Sequence, residues 1–274
     1  MKIINTQDKN FENEFQEILG RAKVDIKKVS SIVNGIIDEI IEDGDKAVSS
    51  HISKFDNWTP LSESDLFVDI KDMETAYNNI DSELRDSLHL AHDRIKTYHE
   101  KQLPKSWIDF EDNGTILGQK VTSVDRAGLY IPGGKAAYPS SLLMNAIPAL
   151  VAGVKRLVMI NPGQKGKQNP AVLYAAKKCK VKEIYSIGGP SAIAAVAYGT
   201  EKIKKVDKIV GPGNSYVAAA KKEVFGDVGV EAMIAGPSEV TIVCDKFSNP
   251  EWIASDLIGQ AEHDNLAQCI LISN

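Results

Sequence analysis

The stretch Arg156–Lys178, RLVMINPGQKGKQNPAVLYAAKK, reads as one strand, one loop and one helix. Arg156 to Ile160 is a short apolar run typical of a buried strand, and Pro170 to Lys178 has helical spacing with a proline at its start. The unit repeats, with strands predicted at Ala127–Ile131, Glu183–Ile187 and Lys208–Val210 and helices at Ser140–Gly153, Ser191–Tyr198 and Ser215–Phe225. This alternation predicts an α/β fold with a parallel sheet.

Each of these predicted strands ends in a loop rich in glycine and proline. The loops are Pro132-Gly133-Gly134, Asn161-Pro162-Gly163, Gly188-Gly189-Pro190 and Gly211-Pro212-Gly213-Asn214. Ligands of open parallel sheets bind at the carboxyl ends of the strands, so all four loops lie on the predicted binding edge. Glycine permits close backbone approach, and the helix N-termini that follow can hold phosphate. The layout favours a nucleotide site, although no loop has the G-x-G-x-x-G spacing and any one alone is an ordinary connector.

The part of the chain before the β/α units favours helices. Apolar residues recur at helical spacing in Phe11–Leu19 and Ile32–Ile41, and Gly44 supplies a stop signal after the second run. A third helix is predicted from Asp81 to Gln102. Its polar face carries three histidines, and we interpret that face as solvated rather than metal-binding. The histidines are His89, His92 and His99.

The last part of the chain returns to the β/α pattern. A strand is predicted at Glu239–Val243, a helix at Pro250–His263 and a strand at Ala267–Ile272. Gln260 and His263 are three apart on the helix and point to the same side, which makes half of a metal site near Ser238. Zinc normally takes at least three protein ligands, so the alternative for this pair is an ordinary polar helix end.

Composition excludes several classes of protein. The net charge of -5 argues against a nucleic acid partner, because phosphate binding needs a concentrated basic face. No apolar stretch approaches the roughly 20 residues that span a bilayer, and the N-terminus lacks the apolar core of a signal peptide. We therefore expect a cytoplasmic protein without a membrane partner. Its cysteines, Cys179, Cys244 and Cys269, are too few and too far apart for a disulfide framework.

Four ordered motifs resemble the histidinol dehydrogenase family. They are Arg126–Ser141, Val206–Asn214, Ala235–Val240 and Ala254–His263, and the likeness runs in order over essentially the whole chain. The resemblance implies a Rossmann-like parallel β/α domain, residues 126–236, inserted in a second α/β domain. That second domain would comprise residues 1–125, which include the helical N-terminal region, and residues 237–274, and it would be incomplete here.

The resemblance also implies an activity. Members of the family oxidise L-histidinol through the aldehyde to L-histidine, the last two steps of histidine biosynthesis, with NAD and zinc, as homodimers. Tyr130 and Asn214 would bind NAD, while Ser238, Gln260 and His263 would contact histidinol. Gln260 and His263 would also be zinc ligands. Zinc would polarise the substrate's oxygen, and the dinucleotide would accept the hydride.

Two departures from the family pattern affect these expectations. Pro190 and Ser191 stand where the family commonly has Ala-Gln, whose glutamine contacts NAD, so Ser191 is a weaker cofactor candidate with a shorter reach. The catalytic Glu-His pair and the remaining zinc ligands, an Asp and a His, would lie beyond Asn274. We therefore expect no catalytic residue within this chain, an incomplete zinc shell and little activity of the chain alone.

Two alternatives stay open. The chain could belong to a paralogous zinc- and NAD-dependent dehydrogenase of another small polar alcohol, to which the Pro190-Ser191 substitution gives room. It could also be a non-catalytic fragment that exposes apolar surface where further β/α units would pack. Comparing the turnover of histidinol with that of other polar alcohols distinguishes a paralogous dehydrogenase from a histidinol dehydrogenase. Any zinc-dependent NADH production by the chain would refute the non-catalytic fragment.

Overall fold

The computed structural model describes residues 2–20, 26–56, 58–60, 62–133, 137–231, 239–262 and 267–274. Its helices are α1 Phe11–Gly20, α2 Ile26–Phe55, α3 Ile70–Asn79, α4 Ser82–Glu100, α5 Pro139–Ala152, α6 Pro170–Lys178, α7 Gly189–Tyr198, α8 Ser215–Glu223 and α9 Pro250–Ala261, with a 3₁₀ turn at Glu63–Leu66. Its strands are β1 Trp107–Phe110, β2 Ile116–Gln119, β3 Arg126–Tyr130, β4 Arg156–Ile160, β5 Glu183–Tyr185, β6 Lys208–Val210, β7 Gly229–Val230, β8 Glu239–Cys244 and β9 Gln268–Ser273. None of the helices in these ranges combines the length and the apolar character needed to cross a bilayer.

A parallel sheet with the strand order β5-β4-β3-β6-β7 forms the centre of the fold. In β3, Ala127 pairs with Leu157 of β4 on one side and with Lys208 of β6 on the other. The chain moves outward from β3 to β5, then crosses back and continues from β6 to β7. The predicted parallel α/β sheet is thus confirmed, and its strand order reverses between β3 and β6.

Helices cover both faces of this sheet. Because side chains alternate along a strand, Leu129 and Met159 enter one apolar core, which α5 and α6 cover, while Tyr130 and Ile160 enter the other, which α2, α7 and α8 cover. The helices α3 and α4 pack outside α6 and α5. Strands buried on both faces are typical of parallel sheets, which explains why β3 and β4 read as continuous apolar runs.

The helix α2 attaches the N-terminal region to the sheet through a bend at Gly44. Its backbone there has φ 53° and ψ -130°, so the predicted stop signal corresponds to a kink after which the helix continues to Phe55. A Cβ at Gly44 would collide with the carboxylate of Glu201, which instead accepts the N–H of Asp45 at 2.9 Å. The buried Asp45 carboxylate in turn binds the hydroxyl of Thr200 and the N–H of Lys202. These contacts fix the second half of α2 against α7.

Three parts of the N-terminal region differ from the sequence expectation. The helix α3 was not predicted, and neither was the antiparallel hairpin β1–β2, in which Trp107 pairs with Gln119. Both faces of that hairpin are exposed, apolar side chains included. The three histidines expected on a solvated face, His89, His92 and His99, are all half-buried, and Nε2 of His89 lies 2.6 Å from the hydroxyl of Tyr174 on α6.

The described residues after 238 form a separate β/α/β unit. The strands β8 and β9 pair in parallel from Glu239 opposite Gln268 to Cys244 opposite Ser273, and α9 packs on both. Asn249 caps α9 by accepting the N–H of Glu251 at 2.9 Å. The elements expected here are therefore present, whereas the division of the chain at residues 126 and 236 into two domains stays a prediction.

We expect Leu129→Ala to lower the free energy of unfolding by about 3 kcal/mol, because Leu129 is fully buried in the central strand β3 and its loss leaves a cavity. Urea unfolding measures the change. The matched control is Leu90→Ala on the exposed side of α4, where the side chain is 62% exposed and the change should stay within about 0.5 kcal/mol. Equal losses in the two variants would contradict the assignment of the core.

Candidate functional site

The strand reversal between β3 and β6 creates a crevice at the carboxyl ends of these strands. The loop after β3 begins at Ile131, and the loop after β6 runs from Gly211 to Asn214. Gly211 has φ +115°, and a Cβ at this position would collide with the carbonyl oxygen of Tyr130. Only glycine lets the two loops approach this closely. A crevice at such a point of reversal is where open α/β sheets bind their ligands.

The loop after β4 joins this crevice through Asn161, which is buried. Its Nδ2 donates to the carbonyl oxygens of Ile131 at 3.0 Å and Pro132 at 3.1 Å, and its Oδ1 accepts the N–H of Gly163 at 2.8 Å. The next residue, Pro162, packs so closely against Gly133 that a Cβ there would collide with its ring. Asn161 and Pro162 therefore hold residues 131–133 against the loop after β4.

The N-terminal turn of α7 is held by side chains from β3 and α2. The hydroxyl of Tyr130 accepts the N–H of Gly189 at 3.2 Å, and the N–H of Gly188 donates to the carboxylate of Asp56. One turn earlier on α2, Nδ1 of His51 lies 2.9 Å from the hydroxyl of Ser191. All three contacts fix the loop after β5 at the edge of the crevice.

Ser191 has a different neighbour from the one that the resemblance implies. Its side chain is 3% exposed and hydrogen-bonded to the equally buried His51, whose Nε2 lies 2.6 Å from a carboxylate oxygen of Glu39. The hydroxyl therefore points to α2, and it is the backbone of the preceding glycines that borders the crevice. The role of Ser191 in cofactor binding stays a prediction. What the structure shows is that its contact with His51 positions α7.

Burial shifts the pKa values of two groups in this corner. It raises the pKa of the Asp56 carboxyl to about 6, and the hydrogen bond from Gly188 opposes that shift. Burial likewise raises the pKa of the Tyr130 hydroxyl to about 12, with the nearby Asp56 adding to the effect. At neutral pH the corner therefore holds a charged carboxylate beside a neutral phenol.

Asn214 occupies the first position of the turn that starts α8. Its Oδ1 accepts the N–H groups of Tyr216 and Val217, both at 3.1 Å, so the side chain is the cap of this helix. The residue is exposed, and within the described part of the chain its NH₂ group has no hydrogen-bond partner. A donor at the mouth of the crevice is thus available to a ligand, as expected for a cofactor residue.

A buried lysine on α8 holds the loop after β6. Lys221 on α8 is 2% exposed and donates to the carbonyl oxygen of Gly211 and to the carboxylate of Glu231. Burial lowers the pKa of Lys221, and the interaction with Glu231 opposes that shift. No pattern in the sequence predicts this pair, because a lysine in the predicted helix Ser215–Phe225 is ordinarily solvated. Asp56 and His51 were missed for the same reason.

Two cavities border the sheet, at opposite ends of the strands. The smaller, about 290 Å³, lies between the loops after β3 and β4 and is lined by residues that include Pro132, Asn161 and Gln168. Gln168 Oε1 is buried there without a hydrogen-bond partner in the described residues. This oxygen can therefore accept a hydrogen bond from a ligand. The larger, about 410 Å³, lies at the amino ends of β3 and β6, where Arg126 and Asp207 satisfy each other at 2.6 Å. The smaller cavity lies at the carboxyl edge of the sheet, beside the crevice between β3 and β6, and none of its lining residues comes from the loop after β6.

The expected metal site falls mostly on residues that the structure does not describe. Ser238 and His263 lie outside the described ranges, and Gln260 lies in the last turn of α9, half-buried and already engaged in an interaction. Across the described residues, no group of three or more His, Cys, Asp or Glu side chains could hold a metal ion. The described donors therefore do not make a zinc site by themselves.

The crevice does fit a dinucleotide. Glycines at positions 133, 188 and 211 let the loops at this edge pack closely against Pro162, Asp56 and the Tyr130 backbone, while Gln168 Oε1 and the Asn214 amide offer one acceptor and one donor. Backbone close to a ligand together with a few convergent polar groups is what dinucleotide sites provide. The fold is thus an open parallel α/β sheet with helices on both faces, a class of protein whose ligands bind at the carboxyl ends of the strands.

Comparison with known proteins specifies the family. A sequence profile described as histidinol dehydrogenase matches residues 19–274, so the chain belongs to the histidinol dehydrogenase family. It is 60% identical over 274 residues to the histidinol dehydrogenase of Pelagibacter ubique (strain HTCC1062) and 56% identical over 273 residues to that of Sulfurimonas denitrificans. Both alignments cover 100% of this chain and 63% of the relative. The chain thus spans less than two thirds of the length of these curated relatives.

A solved structure gives the same result. The crystal structure of histidinol dehydrogenase from Elizabethkingia anophelis matches with a TM-score of 0.79 and 37% identity. The match covers 89% of this chain and 56% of that one. The arrangement of helices and strands described above is therefore that of the family over most of the chain.

We expect Asp56→Asn to raise the unfolding temperature at pH 7.5 by about 3 °C, equivalent to about 1 kcal/mol once solvent screening is allowed for. The pKa of Asp56 is about 6 in the folded state and 3.8 ordinarily. Below pH 3.8 the carboxyl is protonated in both the folded and the unfolded state, and the folded state loses stability as the pH rises from 3.8 through about 6. The amide removes this loss because it carries no charge. Thermal unfolding followed by circular dichroism measures it.

At pH 3.5 the wild-type carboxyl is protonated in the folded state, so the gain from Asp56→Asn should vanish. A variant that is destabilised at pH 7.5, or equally stabilised at both pH values, would contradict the buried and charged state of Asp56.

Proposed function

We propose that this chain forms the cofactor-binding part of an NAD- and zinc-dependent dehydrogenase that oxidises L-histidinol through the aldehyde to L-histidine. The observation that carries the proposal is the reversal of strand order between β3 and β6, in a chain that belongs to the histidinol dehydrogenase family. Its curated relatives carry that name at 60% and 56% identity.

NAD would supply the hydride acceptor, and this chain's residues would position it. The buried Tyr130 fixes the start of α7 through Gly189, which sets the width of the crevice. Asn214 would donate from its NH₂ group to the cofactor while its Oδ1 caps α8. Ser191 would act through the position of α7 rather than by touching the cofactor, because its hydroxyl is bonded to His51.

The substrate and metal residues are proposed on the resemblance. Ser238, Gln260 and His263 would contact histidinol, and Gln260 and His263 would be two of the zinc ligands. An amide oxygen and a neutral imidazole add no charge to the metal, which keeps its Lewis acidity. The acid/base Glu-His pair and the other zinc ligands would lie in the part of the relatives that this chain does not span.

We also propose that the protein works as a cytoplasmic homodimer. The hairpin β1–β2 exposes Trp107 and Phe110, and an isolated two-stranded hairpin is at best marginally stable in water. In the β8–β9 pair, Val243 is 75% exposed, although parallel sheets are normally covered on both faces. Further protein surface, from the rest of a full-length chain or from a second subunit, fits these apolar areas.

A paralogous dehydrogenase of another small polar alcohol is the second candidate. The observation that favours it is the contact of Ser191 with His51, since the position where the family has an NAD-binding glutamine contributes no side chain to the crevice here. Relative turnover of L-histidinol and of other polar alcohols decides between the two.

The decisive experiment joins residues 1–274 to the remaining third of the Pelagibacter ubique relative. We expect this chimera to form NADH from L-histidinol when zinc is added, and the chain alone to form none, because two neutral ligands leave the zinc shell incomplete. Absorbance at the NADH band measures the rate. A folded, zinc-loaded chimera that turns over neither histidinol nor another polar alcohol would contradict the proposal.

A pair of variants of the chimera tests the metal residues. Gln260→Ala should lower zinc affinity and turnover by about 10- to 100-fold, as expected for a lost contact at a metal centre. Glu262→Ala, two residues further and exposed at the end of α9, should leave both within about twofold. Equal effects of the two substitutions would remove Gln260 from the site.

A further inference from the structure

Asp56 lies where the helix α2 meets the crevice. Its backbone N–H still donates to the carbonyl oxygen of Ile52 at 2.9 Å, so the residue continues the last turn of the helix. The kink at Gly44 and the contacts of Asp45 fix this half of α2 against α7. Asp56 thus has a defined position although it comes from outside the parallel sheet.

The carboxylate of Asp56 reaches the loop after β5. Its oxygens would be 3.0 and 3.3 Å from a Cβ built on Gly188, and the same Cβ would be 2.8 Å from the ring of Pro162 in the loop after β4. The hydroxyl of Tyr130 is close enough for the charge of Asp56 to act on it. The carboxylate therefore lies at the junction of the loops that follow β3, β4 and β5.

This carboxylate is only partly satisfied. Among the described residues, the backbone N–H of Gly188 is the one donor to this carboxylate, and no Lys, Arg or His forms an ion pair with it. An ionised carboxylate has about four acceptor positions, so the described residues leave most of them without a donor. A half-buried carboxylate without a cation is costly, and a site that tolerates such a group commonly uses it on a ligand.

The sign of the charge selects the ligand group. The N-terminus of α7 is an ordinary anion site, but the carboxylate of Asp56 already accepts the N–H of the N-cap residue Gly188, and Tyr130 accepts the N–H of Gly189. A phosphate placed here would meet a like charge at close range. Hydroxyl groups are the complementary partners, because each donates a hydrogen bond to an open carboxylate position.

We propose that Asp56 accepts hydrogen bonds from a ribose diol of the dinucleotide and selects NAD against its 2′-phosphorylated form. This inference rests on the proposed function, since it assumes that a dinucleotide occupies the crevice. A carboxylate that binds ribose hydroxyls is the usual device of NAD sites built on β/α/β units, where it comes from the sheet itself. Here the last turn of an N-terminal helix supplies it.

The test is calorimetric binding of NAD and NADP to the 274-residue chain and to its Asp56→Asn variant at pH 7.5. The amide keeps the shape and can still accept the N–H of Gly188, but it loses the charge. We expect NAD to bind about tenfold more weakly, as for the loss of a charge-assisted hydrogen bond, and NADP to bind as well as or better than before. The NAD:NADP preference should therefore fall at least tenfold.

Asp43→Asn is the matched control. Asp43 lies on the same helix and is exposed away from the crevice, so this substitution removes an equal charge without touching the site. Both affinities should stay within about twofold of wild type. Far-ultraviolet circular dichroism of each variant confirms folding before the titrations.

The outcomes separate this inference from the function on which it rests. NAD binding to the wild type, with the same affinity and the same NAD:NADP preference in Asp56→Asn, would overturn the role of Asp56 alone. A wild-type chain that binds neither dinucleotide would overturn the proposed cofactor site and the inference with it. A loss of preference in Asp43→Asn as large as in Asp56→Asn would overturn the inference as well, because the effect would then be one of net charge.

Discussion

The approach of Gly211 to the carbonyl oxygen of Tyr130 is the contact on which the site depends. It places the loop after β6 against the end of β3, at the point where the strand order reverses, and a side chain at residue 211 would separate them. The buried Lys221 keeps this geometry by donating to the carbonyl oxygen of Gly211. The shape of this edge of the sheet thus follows from one glycine and from the crossing of the chain from β5 to β6.

A second constraint comes from outside the sheet. The last turns of α2 hold the start of α7 through the pairs His51–Ser191 and Asp56–Gly188, while Tyr130 holds it from β3. The N-terminal helices therefore do more than cover an apolar face, because they set the position of one wall of the crevice. The carboxylate of Asp56 is retained at a cost in folding free energy, which is the usual relation between stability and function at a binding site.

The sequence predicted the β/α units closely because their signals are local. Strand β4 and helix α6 begin and end at the predicted residues, since an apolar run, a Gly/Pro loop and a proline at the helix start all agree. The hairpin β1–β2 was not predicted, because its residues do not alternate between buried and exposed positions. Its apolar side chains are exposed, whereas the usual strand pattern assumes that they are buried. His89 and Asp56 were beyond local reasoning, because their partners Tyr174 and Gly188 are distant in sequence. The cofactor roles of Tyr130 and Asn214 stay predictions, since the structure shows one fixing the start of α7 and the other capping α8, and Ser238 and His263 fall outside the described residues.

The most direct test of the account is a crystal structure of the chain grown with NAD. The account predicts cofactor density between the loops after β3 and β6, with the Asn214 amide within hydrogen-bond distance and a ribose beside Asp56. Density in the cavity at the amino ends of the strands, beside Arg126 and Asp207, would contradict the placement of the site at the strand reversal.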